Sequence, residues 1–306
     1  MSTPSRVIAD AWNRFWFTVE PAYALGLVRI GYGVLAVIWT LALRPELLLV
    51  FGADGAAPDY ELRDFEWSVF TIWSGDTALQ IGWVVLLVAA IALTVGWHSR
   101  LAAAVVFVLM YSFLRRAFYI VNAGDTIVVL VALVLAVSCC GSALSLDQRR
   151  RTGKFWSAEP LAQWPVRLLQ IELVLIYVVA VQAKLMDRSW VDGSAVFYAW
   201  RTDGRWALLE APDWLANNAI LVNALSWGTL LVELSIAVLV WNRRCRPWVL
   251  GAGVLMHLMM MLTLNVAFFS LAMFVLYLAF VPSETLRDLP QRIAARRKRA
   301  PAELPG

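Results

Sequence analysis

Ala22 to Leu43 is an unbroken apolar run carrying a single charge, Arg29. As a helix it would rise about 33 Å, enough to cross the roughly 30 Å hydrocarbon layer of a bilayer. Comparable runs recur at Ala78–Gly96, Leu101–Arg116, Asn122–Cys140, Trp164–Ala183 and Ile220–Trp241. A final tract, Trp248–Val281, is too long for one crossing and is expected to break near Asn265. Composition agrees: 61% of residues are hydrophobic and 16% charged, where soluble domains carry about 45–50% and about 25%. The expected fold is an all-α integral membrane protein, a polytopic bundle of about eight transmembrane helices.

Charge placement gives the expected orientation. With the N-terminus inside, the segments left in the cytoplasm hold 16 of the 26 Lys and Arg, as the positive-inside bias requires. An even number of crossings then leaves both termini cytoplasmic. The first long outer loop instead gathers Glu46, Asp54, Asp59, Glu61, Asp64, Glu66 and Asp76. Arg115 and Arg116 strain this scheme by falling on the outer side. Residues 1–15 form a cytoplasmic segment, 16–282 the membrane domain and 283–306 a basic tail, with both ends expected to be flexible. The first apolar run is long enough to stay as an anchor and lacks the pattern of a cleaved leader.

Several function classes fall away. The basic tail has no interleaved aromatics, so the pI near 9.1 points to anionic lipid and not to nucleic acid. Two histidines and three cysteines (Cys139, Cys140, Cys245) offer no zinc spacing, and the thiols read as unpaired. No glycine-rich phosphate loop is present. Two outer loops, Arg44–Thr77 and Met186–Asn218, are rich in tryptophan. Trp67, Phe70 and Trp73 have helical spacing, as at an interfacial anchor, and the second loop reads likewise or as a lid over an outer site.

Ionisable residues at membrane depth are costly and face protein or a polar cavity. Counting from helix ends puts Arg29, Glu172, Glu233 and His257 at one level, about 10–15 Å from the inner face. The expectation is a buried cluster with Arg29 bridging both glutamates, serving either helix packing or proton movement. Near the outer face, Asn122 and Asp125 open the fourth helix and Lys184 closes the fifth. Gln170, Tyr177 and Lys184 are spaced by seven, so they share one face with Ala180 as a polar stripe. A lysine there is an interfacial anchor or, half withdrawn from water, a reactive base, whereas a nearby Asp125 would push the other way and hold it charged.

The stretch "KLMDRSWVDG", Lys184 to Gly193, resembles the K-L-x-x-x-W-V-x-G segment of the vitamin K-dependent γ-glutamyl carboxylases, with one more residue before the tryptophan. It is also similar to their bacterial relatives, the horizontally transferred transmembrane (HTTM) domain family. "LVRIGYGVL", "NAGDT", Glu233 and "HLMMMLTLNVAFF" extend the likeness over about Asn13 to Pro282. The resemblance implies a base role for Lys184 alone and a reduced, vitamin K-like quinone as cofactor. On the reading as an enzyme, Asn122 and Asp125 orient the substrate and the outer loop with Trp190, Gly193 and Trp200 is its lid. The carboxylases' Asn-His pair reads Asn122-Ala123 here, and their large luminal domain has no counterpart, which argues against peptide carboxylation. Three readings follow: a cell-membrane enzyme acting on a quinone-like or other lipid-soluble substrate, a maturation or assembly factor for an exported peptide or protein, or a non-catalytic scaffold that binds membrane lipids or serves transport.

Overall fold

The computed structural model describes residues 4–56, 66–116, 123–202, 207–264 and 266–299. In chain order the helices begin with α1 Pro4–Phe17, α2 Tyr23–Leu43, α3 Leu47–Phe51, α4 Val69–Ile72, α5 Asp76–Val95 and α6 Ser99–Arg116. Next come α7 Ala123–Val137, α8 Leu146–Thr152, α9 Trp164–Met186, α10 Arg188–Val191 and α11 Ala195–Thr202. The chain continues through α12 Asp213–Ala216, α13 Ala219–Leu239, α14 Arg246–Thr263, α15 Ala267–Leu278 and α16 Ser283–Arg299. The all-helical expectation holds apart from one short antiparallel ribbon, β1 Val19–Pro21 against β2 Pro160–Ala162.

Every expected apolar tract is helical, as α2, α5, α6, α7, α9, α13, α14 and α15. Four of them, α2, α5, α9 and α13, are long and apolar enough to cross a membrane. A fifth crossing results if α15 and α16, bent by 89° at their junction, are counted together. The others fall short for physical reasons. At about 22 Å and 18 Å, α7 and α15 are shorter than the hydrocarbon layer. Arg100, Arg115 and Arg116 dilute α6, while Arg246 and His257 dilute α14. The last tract is indeed interrupted between Thr263 and Ala267; Asn265 lies outside the described residues.

The ends expected to be flexible are helical over Pro4–Phe17 and Ser283–Arg299. In α1 the reason is periodic: Val7, Ile8, Ala11, Trp12 and Phe15 share one face, with Arg6, Asp10, Asn13 and Arg14 opposite.

The chain divides into two compact units, 1–121 with 129–167 and 278–306, and 122–128 with 168–277. In the first unit, α2 packs on α5 and α5 on α6. Burial of apolar surface drives little association between helices in lipid, so close approach at small residues must do so. Gly33 provides it: a Cβ there would stand 2.7 Å from Thr94 Cα and 2.8 Å from Thr94 N.

The arginines that strained the topology are accounted for in this unit. Arg115 pairs with Glu66 at 2.7 Å and lies over the Tyr111 ring, and Arg116 Nε donates to Phe51 O at 2.7 Å. The expected Trp67–Trp73 interfacial helix is one turn, α4, laid on α6. Phe70 stacks on Phe113 and Trp67 on Tyr111, and the Val69 N–H donates to Ser112 Oγ at 3.0 Å.

Candidate functional site

The second unit is built on α9, α13, α14 and α15. The helix α9 runs three residues beyond the Ala183 end expected from the apolar run, so Lys184 sits inside it. The stripe is present: Gln170 and Tyr177 are buried, and Lys184 keeps only a fifth of its side chain exposed. Lys184 Nζ donates to Glu233 Oε1 at 2.7 Å and to Oε2 at 2.9 Å. The Trp190 ring lies 5.0 Å below the ammonium, adding a cation–π contact.

The partner corrects an expectation of depth. Counting residues put Glu233 near the inner face and Lys184 at the outer rim, facing Asp125. Yet Glu233 is fourteen residues into α13, about 21 Å from its start, while Lys184 is two residues from the end of α9. The helices are therefore offset lengthwise, and the end of α9 meets α13 deep along its length. The chain after α9 runs back beside the free part of α13. Asn223 Nδ2 donates to Asp192 O at 3.1 Å and the Val196 N–H donates to Ser226 Oγ at 3.2 Å. The Lys184 pair thus lies well inside the helical layer.

The turn that makes this return is written in "MDRSWVDGS". Asp187 caps the single turn α10 by accepting the Ser189 N–H at 2.8 Å. That turn places Trp190 under Lys184. Gly193 then adopts φ +80°, a left-handed conformation that costs glycine nothing, and Asn223 fills the space where a Cβ would stand. Trp190 and Trp200 are both half-buried.

A second polar group lies beside the pair. The Tyr177 hydroxyl bonds to His257 Nε2 at 2.9 Å and, at very short range, to the Tyr277 hydroxyl. His257 Nδ1 meets Ser270 Oγ at 3.2 Å. All four residues are buried. Tyr177 and His257 were marked by the sequence. Tyr277 and Ser270 were missed, and their only signal is that they are the two hydroxyls of the otherwise apolar α15.

Arg29 belongs elsewhere. Its guanidinium donates to the carbonyls of Leu93, of Thr94 at 2.9 Å and of Leu144 at 2.6 Å, all in the first unit. Two of these are carbonyls of the last turn of α5, the partially negative pole of a helix. The expected bridge from Arg29 to both glutamates is replaced by this main-chain clamp and by the Lys184–Glu233 pair. Glu172 is half-buried on α9, with an enclosed Oε1 that meets no hydrogen-bond donor among the described residues. Asp125 is buried in the first turn of α7; Asn122 lies outside the described residues. Among the described residues no group of three or more His, Cys, Asp and Glu could hold a metal, and Cys139, Cys140 and Cys245 are free thiols.

The site can hold a charge pair in a low-dielectric surround and move protons between Lys184, Glu233 and neighbouring hydroxyls. Comparison with known proteins places the chain more firmly. It is 25% identical over 214 residues to the Bacillus subtilis (strain 168) protein described as uncharacterized protein YitO, covering 66% of this chain and 67% of that one. No solved structure matches it. The HTTM domain profile matches residues 17–284, and the chain belongs to that family of membrane proteins.

Proposed function

We propose that the chain is a multi-pass cell-membrane enzyme that takes a proton from a lipid-soluble, quinol-like substrate, with Lys184 as the base. One observation carries this reading: Lys184 and Glu233 form a close ion pair inside the helical layer, walled by Trp190 and next to a buried tyrosine–histidine network. As an ammonium, Lys184 cannot accept a proton. In a surround of low dielectric, passing its proton to Glu233 removes two buried charges at once. The resulting neutral amine is a competent base for a phenolic O–H. A reduced quinone, the cofactor implied by the carboxylase likeness, supplies such a proton, and Asp125 and Asn122 would orient it. Eight crossings with both termini cytoplasmic, supported by the 16 basic residues that fall in the inner segments, start α13 at the outer face and set this chemistry about 21 Å below it.

A second reading has its own support. An apolar groove of about 340 Å³ runs beside the pair, lined by Val178, Val181, Gln182, Leu185, Met186 and Leu234. A scaffold that holds a lipid tail without turnover would use the same groove.

Purified protein in lipid nanodiscs, given reduced vitamin K and oxygen, separates the two. Consumption of the quinol that is lost in both Lys184→Ala and Lys184→Arg supports the base. Quinol or lipid retained in native mass spectrometry, without turnover in the unaltered protein, supports the scaffold and refutes the enzyme.

A further inference from the structure

A lysine that is to act as a base must first shed its own proton, and the Glu233 carboxylate that receives it is enclosed. Beyond Glu233 stand hydroxyl and imidazole groups from three helices: Tyr177 on α9, His257 on α14, and Ser270 and Tyr277 on α15. Their hydrogen bonds run in one line, Tyr277 to Tyr177 to His257 to Ser270. Other buried hydroxyls, such as those of Thr40 and Ser138, donate to nearby main-chain carbonyls. The Tyr177, His257 and Tyr277 groups bond to one another, an arrangement suited to proton transfer.

The line comes close to the ion pair. A Cβ on Gly253 would collide with the Tyr277 hydroxyl and stand 2.8 Å from Ile236 Cδ1. Glycine at 253 therefore keeps room for that hydroxyl, and Ile236 is one turn along α13 from Glu233, on the same face.

Building on the reading of Lys184 as a base, we infer that Tyr277, Tyr177 and His257 form a proton relay that discharges the Lys184–Glu233 pair, with His257 as terminal acceptor. With Nδ1–H donated to Ser270, Nε2 carries the lone pair that faces Tyr177. One N–H bond breaks at Lys184 and an O–H bond forms on Glu233. That proton passes through one bridging hydroxyl, of water or substrate, to the Tyr277 oxygen. Tyr277 gives its own proton to Tyr177, and Tyr177 gives its own to Nε2. The net change is one N–H bond lost at Lys184 and one gained at His257, with no electron transfer.

The chain has two histidines, so His98→Asn leaves His257 as the sole imidazole reporter. Asparagine also tolerates the positive φ of position 98. Protein labelled with nitrogen-15 histidine is examined by NMR in nanodiscs, with Tyr177→Phe, Tyr277→Phe and Glu233→Gln on that background. The relay requires that Tyr277→Phe and Glu233→Gln, neither of which alters a group bonded to His257, each move the Nε2 resonance. It also requires that Tyr177→Phe slow exchange of the imidazole proton with deuterated water by about tenfold, because the route is cut. An Nε2 resonance unchanged in both variants, or exchange equal or faster in Tyr177→Phe, overturns the relay and leaves a packing network. These readouts use no turnover. Full quinol consumption by Lys184→Ala together with positive exchange results would therefore remove the base reading while leaving the conducting line in place.

Discussion

Lys184 holds both carboxylate oxygens of Glu233, at 2.7 Å and 2.9 Å, across two helices that are offset lengthwise. The pair joins the last turn of α9 to the far half of α13. It thereby fixes how far one helix slides past the other, whatever chemistry it performs.

That role gives the first prediction. Removing either partner alone strands the other charge in an apolar surround, at a cost of about 3 kcal/mol. Lys184→Met and Glu233→Leu should each lower stability by that order. The double variant should lose less than the sum, with a coupling of about 1–3 kcal/mol. Denaturant unfolding in mixed micelles measures the cycle. Strictly additive losses would show that the two side chains act independently.

Arg29 gives the second. Three main-chain carbonyls receive its guanidinium, so Arg29→Met leaves buried acceptors unmet and should cost about 3 kcal/mol. Lys carries the same charge on one nitrogen without the planar fork, and Arg29→Lys should fall between the two. Were a glutamate the true partner, adding Glu172→Gln or Glu233→Gln to Arg29→Met would restore stability. Thermal unfolding of these double variants should instead show no recovery.

These two residues mark where the sequence was legible and where it was not. The apolar runs foretold the apolar helices α2, α5, α6, α7, α9, α13, α14 and α15, because a bilayer leaves an apolar chain few alternatives. The seven-residue spacing foretold the buried face of α9. Partners were harder. Counting depth from helix ends assumes that all helices begin at one level, and the offset between α9 and α13 breaks that assumption. Arg29 was matched to carboxylates since side chains are what a sequence displays, whereas the carbonyl end of α5 is a partner created only by folding. Tyr277 and Ser270 escaped for a related reason: two hydroxyls in an apolar helix declare nothing until a neighbouring helix faces them.

Gly193 carries the third prediction. Its φ of +80° is costly for any residue with a Cβ, by about 1–2 kcal/mol. Asn223 also occupies the space that Cβ would need. Gly193→Ala should destabilise the protein and loosen the turn that seats Trp190 under Lys184. Adding Asn223→Ala relieves the crowding and leaves the backbone strain, so stability should recover only in part. Proteolysis in the α10–α11 segment, timed in parallel with melting, reports both effects. Complete recovery would mean that the conformation of Gly193 is unimportant.

The fourth prediction concerns acid. Asp147 accepts the His98 N–H at 2.9 Å and the Ser99 N–H at 2.8 Å, with the Ser99 hydroxyl at 2.7 Å, and so caps α6 from the start of α8. Partial burial works to raise its pKa, but the bonds from Ser99 and His98 outweigh it and hold the carboxyl below its ordinary 3.8. A group whose folded pKa is depressed contributes its stabilisation above the unfolded value and loses it as pH falls through the folded one. The cap should therefore be intact at pH 5 to 7 and fade only below about pH 4. Replacing it by Asp147→Ala should cost about 1 kcal/mol at neutral pH. The gap in melting temperature between parent and variant should be constant from pH 7 to pH 5 and narrow as the pH drops below 3.8. A gap that persists undiminished in acid would mean that Asp147 acts through packing and not through its charge.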